Sequence, residues 1–194
     1  MFDIFRKKKR QNAIILATLN ARLQPIDRGE IEDAFDAVSA QRGLGACVVG
    51  GGTLMQESGE VISCDVEIEV EDASEKTVDV IIQILEAMLA PRGSQLHLPG
   101  QQGVIHFGRQ EGLALYLNGT DLPGEVYQSC DSNYVYAECN RLLEGIGRVS
   151  SHWAGPRETA LYMYGTEFDT MRDRLTPLLE TYPLCKQSRI EKIA

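Results

Sequence analysis

Hydrophobic positions along this chain switch between strand and helix spacing, in an order that is run twice. Residues 13–19, AIILATL, make a continuous apolar run of strand length. Beyond it the period becomes helical. Asp27 followed by Glu30 forms a capping-box-like start, Ile31, Ala34, Phe35 and Val38 share one face, and Gly43 and Gly45 provide the stop. Residues 46–55, ACVVGGGTLM, read as a strand broken by three glycines, with a turn at 56–59. Residues 62–71 are the clearest strand: Val66, Ile68 and Val70 point one way, and Asp65, Glu67, Glu69 and Glu71 point the other. A helix over 73–90 ends at Pro91, and Leu96 and Leu98 mark a closing strand.

The second run repeats the order. Leu113, Leu115 and Leu117 alternate as a strand, followed by a loop at 118–129. Asp131 or Ser132 caps a helix carrying Val135, Cys139, Leu142, Leu143 and Ile146. Residues 147–153 lead through Gly155-Pro156 to a strand with Leu161 and Met163 inward and Tyr162 and Tyr164 outward. Thr166 caps the last helix, and residues 184–193 supply the final strand. The two second helices match best. Val78, Ile81, Leu85, Met88 and Leu89 fall at offsets 0, 3, 7, 10 and 11, and Phe168, Met171, Leu175, Leu178 and Leu179 fall at the same offsets.

The predicted fold class is therefore α+β: two tandem ferredoxin-like (βαββαβ) units, each an antiparallel sheet with helices on one face. The predicted organisation is a basic flexible arm at 1–11, a first unit at 12–98, a connecting hairpin at 99–111 and a second unit at 112–194. In the hairpin, residues 104–107 pair back on 95–98 and join the halves into one continuous body. Each sheet keeps one helix-free face, so the content of those faces becomes the main functional clue.

Composition changes this picture in few places. With 43% hydrophobic and 24% charged residues the chain is ordinary for a globular protein, and no apolar run approaches the ~20 residues of a membrane span. Cys47, Cys64, Cys130, Cys139 and Cys185 include no CxxC pair and read as small core or boundary residues in a reducing compartment. The start, MFDIFRKKKR, lacks the apolar segment of a secretory signal, and the expected location is the cytoplasm. Net charge is −9, yet the first ten residues hold five bases and one acid, leaving 14 bases against 27 acids in the rest. So acidic a body disfavours nucleic acid and anionic membranes and favours a basic protein partner.

Chemistry-bearing motifs are sparse. Gly50-Gly51-Gly52 follows a strand but opens no helix and precedes no GK[ST], so a bulge or close backbone approach is expected in place of a phosphate loop. His97 and His106 become near cross-strand neighbours in the predicted hairpin, too few ligands for a metal. His152 beside Ser150 and Ser151 lacks a GxSxG elbow. Asn118-Gly119-Thr120 reads as a turn. No catalytic, metal or cofactor residue is assigned.

Two surfaces remain as candidate partner-binding sites. Asp65, Glu67, Glu69 and Glu71 form an acidic ridge with carboxylates roughly 7 Å apart along the strand. Tyr116, Tyr162 and Tyr164 lie on the outward face of the second sheet, with Trp153 ending the neighbouring strand, and such side chains favour interfaces. The function expected from these features is a non-catalytic, cytoplasmic protein-binding module. Its concrete form is an immunity protein or antitoxin that covers a basic toxin domain, with a homodimer also possible. The alternatives are a small-metabolite sensor holding a ligand between its halves or at a strand–helix junction, with the glycine run at 50–52 as its best feature, and, further off, a hydrolase using Glu or His.

Overall fold

The computed structural model describes residues 12–194, and the basic arm expected at 1–11 lies outside the described residues. The first unit consists of β1 (Ala13–Leu19), α1 (Pro25–Arg42), β2 (Ala46–Met55), β3 (Val61–Val70), α2 (Glu75–Ala87) and β4 (Ser94–His97). The strand β5 (Val104–Phe107) follows, and then the second unit: β6 (Glu111–Asn118), a short α3 (Gly124–Ser129), α4 (Ser132–Leu142), β7 (Gly147–Ala154), β8 (Glu158–Gly165), α5 (Phe168–Thr181) and β9 (Arg189–Lys192). The sheets run β2-β3-β1-β4-β5 and β7-β8-β6-β9. With β5 set aside, both have the antiparallel order of a βαββαβ unit, and the fold is two tandem ferredoxin-like units.

The connecting hairpin forms with Gln95 opposite His106 and His97 opposite Val104. This makes 104–107 a fifth strand of the first sheet, and the second unit begins at once with Glu111 in β6. The repeated helix positions face the two cores: Val78, Ile81 and Leu85 in α2, and Met171, Leu175 and Leu178 in α5, are all buried.

Three local expectations shift. Helix α1 starts earlier, at Pro25 with Gln24 as its cap, because proline's missing N–H costs nothing in a first turn. Asp27 is thereby freed from capping. Helix α5 is preceded by Glu167, not Thr166, at the cap position. The loop at 118–129 contains α3, which follows an Asn118 side chain accepting the N–H groups of Thr120 and Asp121.

The central strands β1 and β6 occupy equivalent places and are buried differently. In β1 the residues Ile15, Ala17 and Leu19 are sealed under the helices, while Ile14 on the opposite side is 50% exposed. In β6 every residue from Glu111 to Leu117 is buried. The second sheet is a filling: its own helices cover one face and the first unit covers the other. The first sheet is left with one face open.

Candidate functional site

The covered face of the second sheet carries Tyr116 from β6 and Tyr162 and Tyr164 from β8. All three are buried, Tyr162 completely, and they join the apolar core of the first unit. The expectation that this tyrosine face lies open to a partner is corrected: the sister unit already occupies it. The physical reason is area. Three tyrosines on one pleated face are too much apolar surface to leave wet when an adjoining unit is tethered beside it. Trp153 is likewise half-buried against this core, with its indole beside Gly59 in the β2–β3 turn.

Burying three phenols requires partners for their hydroxyls. The first unit supplies them from two short segments. After β1, burial alternates along residues 20–24: Ala21 and Leu23 enter the core, and the half-buried Arg22 reaches the tyrosines. Glu60 follows the turn at 56–59, where Gly59 takes φ +79° and Gln56 receives Gly59 N–H. Its Oε1 accepts from Tyr116 OH at 2.6 Å, Tyr162 OH at 2.7 Å and Arg22 Nη1 at 2.5 Å. Arg22 Nη1 also donates to Tyr116 OH at 2.7 Å, and Arg22 N–H donates to Tyr164 OH at 2.7 Å.

Burial, reinforced by donation to the Glu60 carboxylate, pushes the Tyr116 phenol up to about 12 and raises Tyr162 as well. Tyr164 is raised mainly by burial. Burial by itself would lower Arg22, but the surrounding phenols and Glu60 outweigh it and raise it. These phenols stay protonated at neutral pH, so they act as donors and not as nucleophiles. The cluster holds two sheets together.

A second seam runs beside the first. Ser151 in β7 is buried, donates to Asp27 Oδ2 at 2.6 Å and accepts Gln24 N–H. Asp27, read from sequence as a helix cap, thus binds the other unit. His152 is exposed on the opposite side of the strand from Ser151, and its carbonyl accepts from Gln24. Serine and histidine do not form a relay. Arg22, Glu60 and the Asp27–Ser151 pair are what sequence reading missed. The available signals were weak: an arginine between two buried positions, and an acid next to a turn.

The open face belongs to the first sheet. Register places Asp65, Glu67 and Glu69 of β3 on it, flanked by Ile14, Leu16 and Thr18 of β1, Cys47, Gly50 and Gly52 of β2, and Gln95 and His97 of β4. None of these positions holds lysine or arginine. Among the described residues no ion pair is formed by Asp65, Glu67, Glu69 or the exposed Glu71 just beyond the strand. The asymmetry extends to the whole unit. Residues 12–98 hold 15 acids and 5 bases, against 11 acids and 8 bases in 112–194. The ridge of acids is where the sequence placed it, with apolar Ile14 and Leu16 alongside.

The glycine run belongs to β2. A bulge falls between Val48 and Gly50. At Gly51 a Cβ would stand 2.0 Å from Arg28 Nη1 and 2.5 Å from the Asp65 carbonyl oxygen, so the backbone passes too close for any side chain. Among the described residues no three His, Cys, Asp or Glu side chains gather as metal ligands, and no helix is long and apolar enough to cross a membrane.

No protein-family model matches this chain, and no curated protein matches it. Solved structures resemble it at low identity. A protein of unknown function from Galdieria sulphuraria is 12% identical over 94% of this chain and 98% of its own, with a TM-score of 0.31. The first two RRM domains of a yeast poly(U)-binding protein are 9% identical over 93% and 99%, with a TM-score of 0.25. A proposed glycine cleavage system transcriptional repressor is 10% identical over 93% and 97%, with a TM-score of 0.35. At these scores the likenesses carry no argument about activity, and the architecture rests on the strand order itself.

Proposed function

We propose that this chain is a non-catalytic, cytoplasmic protein-binding module that neutralises a basic toxin domain by covering it with the open face of the first sheet. One observation carries the reading: of two equivalent helix-free faces, one is sealed by the sister unit, and the other is left uncovered with Asp65, Glu67 and Glu69 on it and no basic residue among its strand positions. An acidic face with apolar neighbours suits a cationic protein surface. Charge speeds the encounter and fixes orientation, and Ile14 and Leu16 supply the contact that desolvation rewards. The tyrosines no longer belong to this surface, so the partner-binding set contracts to Asp65, Glu67, Glu69 and Glu71 with their apolar neighbours.

The test is co-expression with the protein encoded next to this chain. Expected is a basic protein, toxic alone, that is neutralised by the wild-type chain and binds it near 1:1. Association should slow as salt rises. Asp65→Lys with Glu67→Lys should leave the fold intact and slow association by at least about tenfold, in line with loss of electrostatic steering. Neutralisation by the double variant as effective as by the wild type, with an unchanged salt dependence, would refute the docking face.

A further inference from the structure

Where the second sheet covers the first unit the closure is incomplete. A cavity of about 620 Å³ remains between them, a size typical of small-molecule sites. One wall is apolar and comes from the first unit: Leu19 and Leu23 around the end of β1, Ile31 and Ala34 on α1, Leu85 on α2 and Met88 just past its end. The other wall is the second sheet, where Arg148 of β7 is paired directly with Tyr164 of β8, so both side chains stand together on the face that looks into the junction.

The polar groups around this cavity are complementary in charge, with Arg148 and Glu30 exposed at its rim. Arg148 forms no ion pair among the described residues. The buried Tyr164 hydroxyl accepts Arg22 N–H, and no acceptor for its own proton is found among the described residues. On the first unit, Asp27 spends only Oδ2 on Ser151, and Glu30 one turn further along α1 also lines the space. The C-terminal end of α2, the negative pole of its dipole, reaches the same rim through Ala87 to Ala90. Leu89 is held there at φ +70°, a left-handed conformation that a leucine rarely adopts. One side thus offers a cation and a phenolic donor, the other offers acids and a helix C-terminus, and apolar side chains lie between.

We infer that this junction cavity is a binding site for a small zwitterion with an apolar body, of the size of a hydrophobic amino acid or dipeptide. Its carboxylate is held by Arg148 and Tyr164 and its ammonium by Asp27 and Glu30. The site is separate from the acidic docking face and does not depend on it. Because the ligand touches both units, its binding favours the closed arrangement of the two sheets.

L-leucine, L-phenylalanine and the dipeptide Leu-Leu are the probes. Leucinamide lacks the carboxylate and N-acetyl-leucine lacks the ammonium. Binding is read by calorimetry and by amide shifts of the 15N-labelled chain. Expected is saturable binding by at least one zwitterion, with shifts concentrated at the cavity lining, residues 19–34, 85–91, 147–151 and 164, and at least about tenfold weaker binding of both blocked forms. Arg148→Gln should weaken the zwitterion about tenfold and leave leucinamide unchanged. Ala34→Trp should fill the cavity and abolish binding, with circular dichroism as the folding control; if that variant does not fold, the blocked ligands on the wild-type chain decide. Absence of local shifts with all three zwitterions at ~10 mM, or equal binding of free and blocked forms, overturns the inference.

Discussion

Glu60 offers the sharpest check on how the two units are joined. Its single Oε1 accepts from Arg22, Tyr116 and Tyr162 at 2.5, 2.6 and 2.7 Å. Glu60→Ala strands two phenolic protons in the interface, each costing about 1 kcal/mol or more after partial hydration. The broken ion pair would cost about 3–5 kcal/mol if sealed from water. The Arg22 and Glu60 side chains retain 21% and 12% of their exposure, which lets water reach the guanidinium and cuts that part to about 1 kcal/mol. The sum is about 3 kcal/mol, and with a urea slope of about 2 kcal/mol/M the midpoint should fall by about 1.5 M. Glu60→Gln keeps an acceptor but no charge, and should lose about half as much. Trp153, the one tryptophan of the chain, sits beside the Gly59 turn and reports on this junction by fluorescence. A midpoint shift below about 0.5 M for Glu60→Ala, or equal losses for Ala and Gln, would refute the claim that one carboxylate organises the interface.

Three further outcomes are expected. The raised phenols favour the folded state, so their contribution is complete below the ordinary tyrosine range near pH 10 and is lost as pH rises through about 12, where Tyr116 titrates; absorbance at 295 nm should show three tyrosines ionising only together with unfolding. Glu111 is held below the usual carboxylate range by Phe168 N–H and then by Lys192, so its contribution is present above about pH 4.3 and disappears as pH falls; thermal melts of Glu111→Gln should show a weaker acid dependence than wild type. Gly51→Ala should cost about 2–3 kcal/mol because its Cβ meets Arg28 and the Asp65 backbone, whereas Gly52→Ala, with nothing within 4 Å, should stay within about 0.5 kcal/mol of wild type in urea melts.

The duplicated architecture was legible because it is local. Helix and strand periods, proline and glycine stops, and the alternation of Val66, Ile68 and Val70 with Asp65, Glu67 and Glu69 are written in neighbouring residues, and they mark the elements without knowledge of their contacts. The acidic ridge was legible for the same reason: strand alternation assigns its side, and an apolar opposite face assigns which side is inward. The bulged glycine strand and the 94–107 hairpin also follow from short-range signals.

Which pleated face would be spent on the sister unit was not legible. Alternation states that Tyr116, Tyr162 and Tyr164 point away from their own helices, and it is silent on whether water or protein lies beyond. The structure decides that question through groups far apart in sequence: Arg22 is 142 positions from Tyr164, and Glu60 is 102 positions from Tyr162. The same long-range packing leaves β1 open on one side and buries β6 on both, although the two strands have similar apolar content. The sequence by itself determined the elements, their repeat and the charge of each face, because those depend on period and composition. Only the tertiary structure decided which face is interior and where a cavity is left, because burial of a face is a property of what is docked upon it.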